Sequence, residues 1–134
     1  MMERIDLKTD RSGLFEITDQ VQACVTQSKV SCGIAVLWVP HSTAGLTVIS
    51  KMDPLGFEDI EDEICRLIPT RVDFKHQFDT PSDAAGHIKS AVVGVSITCI
   101  IEAGKLVLGS SQGIYFFEFD GPRSRQVYVR IGGA

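Results

Sequence analysis

Hydrophobic residues along the chain follow two rhythms. Alternation with polar residues predicts a strand with one buried face, and recurrence every three or four residues predicts a helix. Glu3 to Thr9 alternates through Ile5 and Leu7 and reads as a half-buried strand. Ser12-Gly13 is a turn, and Leu14 to Ile17 is a second strand. Thr18 or Asp19 can cap a helix whose inner face is Val21, Cys24, Val25 and Ser28. Cys32 to Val39 and Ala44 to Ser50 are β-rich runs flanking the polar turn His41-Ser42-Thr43, and within them Ile34 to Val39 and Leu46 to Ile49 read as buried strands.

Asp53-Pro54 opens a helix, since Asp caps free N–H groups and Pro suits the first helical position. Phe57, Ile60, Ile64, Leu67 and Ile68 form its apolar stripe, Glu58 to Glu63 its solvated face, and Pro69 its end. Thr80-Pro81-Ser82-Asp83 starts another helix with Ala84, Ile88, Ala91 and Val92 as core stripe, closed by Gly94. Antiparallel strands follow: Val95 to Ile101, Lys105 to Leu108 after the Ala103-Gly104 turn, Ile114 to Phe119, and Arg125 to Ile131. Asp120-Gly121 reads as the hairpin turn between the last two. The order predicts an α+β fold, a mainly antiparallel β-sandwich with two to three helices.

Composition narrows the class. At 134 residues, 44% hydrophobic and 22% charged, the chain suits one globular domain over residues 1–134. A net charge of -4 argues against a nucleic-acid partner, which normally meets a basic face. Met1 to Ser12 has no apolar signal-peptide core, and no apolar run reaches the roughly 18 residues of a membrane span. Cys24, Cys32, Cys65 and Cys99 form no C-x-x-C pair and read as buried free thiols. A cytoplasmic protein with no membrane partner is expected.

The candidate chemistry centres on three histidines, His41, His76 and His87. Imidazole is the usual proton carrier near neutral pH and the commonest metal ligand. If the fold gathers them, they suit zinc with an open position. Taken singly, His41 belongs to a hydroxyl-bonded turn, His76 to a surface loop, and His87 to the stripe of Ala84 and Ala91, as core residue or ligand. No H-E-x-x-H motif is present. Asp53 is a helix cap or a catalytic carboxylate. Asp79 and Asp83 are candidate caps of the His87 helix. Glu118 is exposed if only one face of its strand is covered, and a buried acid if both are. The segment Gly121 to Arg125 can hold a phosphate through its guanidinium groups or form a turn with solvated arginines. Gly109 to Gly113 lacks the lysine and spacing of a P-loop and reads as a loop that lines a site.

Together, His41-Ser42-Thr43-Ala44, Met52-Asp53-Pro54, Gly86-His87-Ile88-Lys89-Ser90, Gly104-Lys105-Leu106, Gln112-Gly113-Ile114 and Glu118-Phe119-Asp120-Gly121-Pro122-Arg123 resemble the YjbQ family. That family is also called secondary thiamine-phosphate synthase, and the resemblance spans nearly the whole chain. Two positions depart from it. Ser111 stands where the family usually has Trp, and Asp79 to Asp83 occupy the region where many members carry Glu-Gly-Asn.

The resemblance implies a homotrimer with a histidine-lined site near a subunit boundary. A divalent metal, zinc first, or an anion would bind there. It also implies a weak or secondary transfer of hydroxymethylpyrimidine diphosphate onto thiazole phosphate, giving thiamine phosphate and pyrophosphate. His41, His76 and His87 are then the metal ligands. Asp53 or Glu118 orients a histidine, and Thr43, Lys89, Gln112 and Arg123 contact the small phosphorylated substrate. A metal-dependent hydrolase and a non-catalytic trimer that binds a small anion are the competing readings.

Overall fold

The alternating runs assemble into two stacked antiparallel sheets in the computed structural model, which describes residues 2–134. The chain order is β1 (Met2–Thr9), β2 (Gly13–Glu16), α1 (Thr18–Ser28), β3 (Gly33–Trp38), β4 (Ala44–Ser50), α2 (Pro54–Leu67), α3 (Pro81–Val93), β5 (Ser96–Glu102), β6 (Lys105–Leu106), β7 (Gln112–Glu118) and β8 (Arg123–Gly133). One sheet runs β1-β8-β3-β5-β6 and the other β2-β7-β4. The predicted α+β sandwich is therefore present, with three helices.

The core follows from strand alternation. Ile5, Ala35, Leu37, Val127 and Val129 point inward from the larger sheet and meet Leu46, Ile114 and Phe116 from the smaller one. Val21 and Val25 of α1 join the same core, one turn apart on the predicted face. The opposite face of β7 presents Tyr115, Phe117 and Phe119, against which Phe57, Ile60 and Ile64 of α2 pack. β7 is thus covered on both sides, and Glu118 is the buried acid rather than the exposed one.

Several local expectations change. Asp120-Gly121 is not a hairpin turn, because β7 pairs with β2 and β4 while β8 pairs with β1 and β3. The segment carries the chain from one sheet to the other, through a cis Gly121-Pro122 bond. Neither Thr18 nor Asp19 caps α1: the N-cap is Ile17, and Thr18 Oγ1 instead donates to Glu16 and accepts from Ile114 N. β3 is half-buried, not buried: Ile34, Val36 and Trp38 face outward from the larger sheet. The buried face of α3 is also rotated from the predicted stripe. Asp83, Ala84, Gly86, Lys89 and Ser90 turn inward, while Val92 is 66% exposed. Of the four free thiols only Cys99 is buried; Cys32 and Cys65 are exposed.

Candidate functional site

The site grows from the first turn of α3. Thr80 caps the helix, its Oγ1 accepting from Asp83 N at 3.1 Å, and Pro81 occupies the first turn. The Asp83 carboxylate reaches sideways from this first turn. Its Oδ2 lies 3.2 Å from His87 Nε2, one helical turn along, and 3.1 Å from His76 Nε2 on the preceding loop. Asp83 is buried, whereas the two histidines are partly open. His76, Asp83 and His87 each offer a ligand atom within 4.8 Å of the other two.

His41 stands apart from this cluster. Its Nε2 accepts the backbone N–H of Gln126 at 2.9 Å, so that lone pair is already used and the neutral ring carries its proton on Nδ1. Burial, and then the charge of Arg125, lower its pKa from the ordinary 6.5. The three histidines do not all converge: His76 and His87 meet at Asp83, which shares a helix face with His87, while the turn carrying His41 is tied to β8.

Beneath the cluster, the open end of the sandwich is plugged by polar groups. Glu118 of β7 and Arg125 of β8 both point between the sheets. Arg125 Nε donates to Glu118 Oε1 at 2.8 Å, and Nη2 donates to Oε2 and to Thr43 Oγ1. Thr9 Oγ1 and Asp120 N also donate to Glu118. Burial pushes the Glu118 pKa up, but bonds from Arg125, Asp120 N and Thr9, with the Arg125 charge, outweigh it and leave the pKa lowered.

Two cavities flank the cluster, with no lining residue in common. An apolar cleft of about 580 Å³ is bordered by Phe74, Ala84 and Ile88 with His76 and His87. A polar cavity of about 290 Å³ is bordered by His41, Ser42, Thr43, Asp83, Arg123 and Arg125. Asp83 borders the polar cavity and, through its contacts with His76 and His87, connects to the residues of the apolar cleft.

The remaining candidates divide. Thr43 is at the site and anchors Arg125. Arg123 borders the polar cavity, but its Nε and Nη2 donate to Asp120 O and Oδ2, and Asp120 raises its pKa. Lys89 is buried elsewhere, with Nζ 3.5 Å from Cys65 Sγ, in a cavity shared with Glu61. Gln112 lies at the far end of β7 from Glu118, its Oε1 accepting from Gly109 N. Asp53 is the cap of α2, accepting from Leu55 N at 3.0 Å, and not a site carboxylate. The sequence pointed to Asp83 only as a helix cap, and to Arg125 only as part of the Gly121 to Arg125 segment that can hold a phosphate. The signals for their place at the site were the four-residue spacing of Asp83 and His87, and the shared inward phase of Arg125, Val127 and Val129.

Fold and site together define a class: an α+β sandwich with a histidine–carboxylate cluster at the N-terminal end of a helix, above a buried ion pair. The chain belongs to the UPF0047 protein YjbQ-like family, which it matches over residues 3–134. It is 46% identical to a UPF0047 protein of Methanocaldococcus jannaschii over 99% of this chain and 95% of that one. It is 36% identical to the YugU protein of Bacillus subtilis, over 99% and 100%. Among solved structures, a YbjQ-like protein of Sulfolobus solfataricus superposes with a TM-score of 0.93 at 32% identity, over 100% and 97%. No helix of the described chain is long and apolar enough to cross a membrane.

Proposed function

We propose that His76, Asp83 and His87 hold a divalent cation, zinc best fitting the donors, and that the protein acts on a small phosphorylated substrate beside it. One observation carries the reading. Ligand atoms around a tetrahedral zinc, each about 2.0–2.1 Å from it, lie about 3.3 Å from one another. The His76–Asp83 and Asp83–His87 separations are 3.1 and 3.2 Å. Three protein ligands leave one position for substrate.

When bound, the cation would supply a Lewis acid for phosphate oxygens. The chain's own residues do the rest. Thr80 and Pro81 fix the helix start that aims Asp83. Glu118 holds Arg125 at the cavity edge, and the apolar cleft beside Phe74 and Ile88 would seat an organic ring. The reaction best matched to this arrangement is displacement of pyrophosphate from hydroxymethylpyrimidine diphosphate by thiazole phosphate. The family resemblance contributes that chemistry. A hydrolase is the second reading, favoured by the ligand set itself, since two histidines and a carboxylate are a known zinc set for hydrolysis.

Assembly as a homotrimer completes the proposal. Ile34, Val36, Trp38 and Ile100 make an outward apolar stripe on the larger sheet, suited to a second copy. His41 borders a further cavity with Asp6, Lys8 and Gln126 on that side, which would bring the site near a subunit boundary.

The test is zinc per subunit, together with pyrophosphate release from hydroxymethylpyrimidine diphosphate with and without thiazole phosphate. Near-stoichiometric zinc that His87→Ala removes, with release requiring thiazole phosphate, supports the transferase. Release without thiazole phosphate supports the hydrolase. No zinc uptake by the wild-type protein overturns the metal reading. Zinc uptake without turnover leaves an anion-binding protein.

A further inference from the structure

Three cations, Lys89, Arg123 and Arg125, are near enough to the site to be weighed as the group that receives a substrate anion. Lys89 is 7% exposed and opens on a different cavity, next to Cys65 and Glu61. Arg123 is spent on Asp120, which takes two of its nitrogens and neutralises its charge. Arg125 differs from both. It is 5% exposed, yet it borders the polar cavity that Asp83 also borders. Nε and Nη2 are occupied by Glu118 and Thr43. Nη1 alone has no acceptor among the described residues.

We infer that Arg125 is the anion-binding residue of this protein, with Nη1 receiving an oxygen of a phosphate or diphosphate group beside the His76–Asp83–His87 cluster. The inference deepens the phosphorylated-substrate reading and rests on it. Three features support it. Glu118 and Thr43 fix the plane of the guanidinium, so little freedom remains to be lost when an anion docks. Glu118 is turned inward and receives Thr9 and Asp120 N, so its charge is shared on the far side of the pair. His41, on the same cavity, keeps its Nδ1 proton and stays a neutral donor there.

Asp79 and Asp83 also border the cavity and oppose an anion. A cation on Asp83 would offset one of them, so phosphate should bind more tightly to the zinc-loaded protein than to the chelated one.

The experiment titrates inorganic phosphate and pyrophosphate into the zinc-loaded and the chelator-treated protein, with variants of each cation. Arg125→Lys keeps the charge and its ion pair but loses the planar fork. It should weaken binding at least 10-fold, while Arg123→Gln and Lys89→Met stay within about twofold of wild type. Unchanged zinc content and near-ultraviolet circular dichroism show that Arg125→Lys is folded. If it is not, arginine side-chain ¹⁵N resonances of the wild-type protein decide: phosphate should shift those of Arg125 and spare those of Arg123. Wild-type affinity in Arg125→Lys, movement of Arg123 instead, or no phosphate binding in either form of the wild type would overturn the inference. Failure of the metal reading looks different. In that case no zinc is taken up, and the Arg125 response to phosphate in the chelated protein still upholds the anion site.

Discussion

His76 and His87 meet edge to face, with ring centroids 5.0 Å apart and planes at 86°, because both turn Nε2 toward one oxygen of Asp83. A carboxylate oxygen that serves two imidazoles fixes both rings before any ligand arrives. The pair comes from different elements, a loop and a helix, so the contact also pins residues 69–80 against α3.

That arrangement sets the first expected outcome. Asp83→Asn, His76→Ala and His87→Ala should each lower zinc affinity by roughly 10- to 100-fold or more, read in a chelator-competition titration. His41→Ala should leave it within a few-fold, because the Nε2 of His41 is committed to Gln126. Equal losses in all four variants would restore His41 to the ligand set and remove Asp83's special place.

The buried ion pair is expected to behave asymmetrically. Glu118→Leu leaves the Arg125 guanidinium buried without its counter-charge and should cost about 3–5 kcal/mol in urea unfolding. The double variant Glu118→Leu/Arg125→Met removes both charges and should recover most of that loss. It should also abolish phosphate binding, which separates the stability role of the pair from the ligand role of Arg125.

Stability should fall in two acid steps. His41 has a lowered pKa in the folded chain, so the folded state resists its protonation. Its contribution is complete above the ordinary histidine value of about 6.5 and is lost as pH falls from there to the lowered value. Glu118 is also lowered, so the folded state again binds fewer protons than the unfolded one. Its contribution is complete above the ordinary glutamate value of about 4.3 and is lost as pH falls through the depressed one. Urea midpoints measured from pH 8 to pH 3 should show both steps. His41→Gln should remove the upper step and Glu118→Gln the lower. A flat profile between pH 7 and pH 5 would show that His41 titrates as freely folded as unfolded.

The strands and helices were legible because their signals are local. Alternation through Ile5 and Leu7 gave β1, and Asp53-Pro54 and Thr80-Pro81 gave the starts of α2 and α3. The site was legible only in part. The sequence offered His41, His76 and His87 as one possible group, and the fold brings together only His76 and His87, since sequence separation says nothing of which lone pair a backbone N–H will claim. The buried pair was half visible. Glu118 is buried because its face of β7 meets the larger sheet while α2 covers the opposite face of Phe117 and Phe119, a fact about packing around β7 rather than about β7 itself. The false hairpin at Asp120-Gly121 has the same origin, since two adjacent strands can belong to different sheets without any local sign.

Gly86 offers a last check on how rigid this end of the molecule is. A Cβ there would sit 3.2 Å from Thr43 Cβ and 3.3 Å from Thr43 Cγ2. Gly to Ala inside a helix ordinarily gains about 0.5–1 kcal/mol. Here Thr43 cannot step aside freely, because its Oγ1 accepts from Arg125 Nη2 at 2.8 Å and its carbonyl accepts from Phe119 N at 3.1 Å. The overlap should outweigh the helical gain and leave Gly86→Ala destabilised by about 1 kcal/mol in urea unfolding, within the usual cost of overpacking. Phosphate affinity should drop with it, since moving Thr43 unseats the guanidinium. A stabilised Gly86→Ala with unchanged phosphate binding would mean that Thr43 yields without disturbing Arg125. The anion site would then owe its geometry to Glu118 alone.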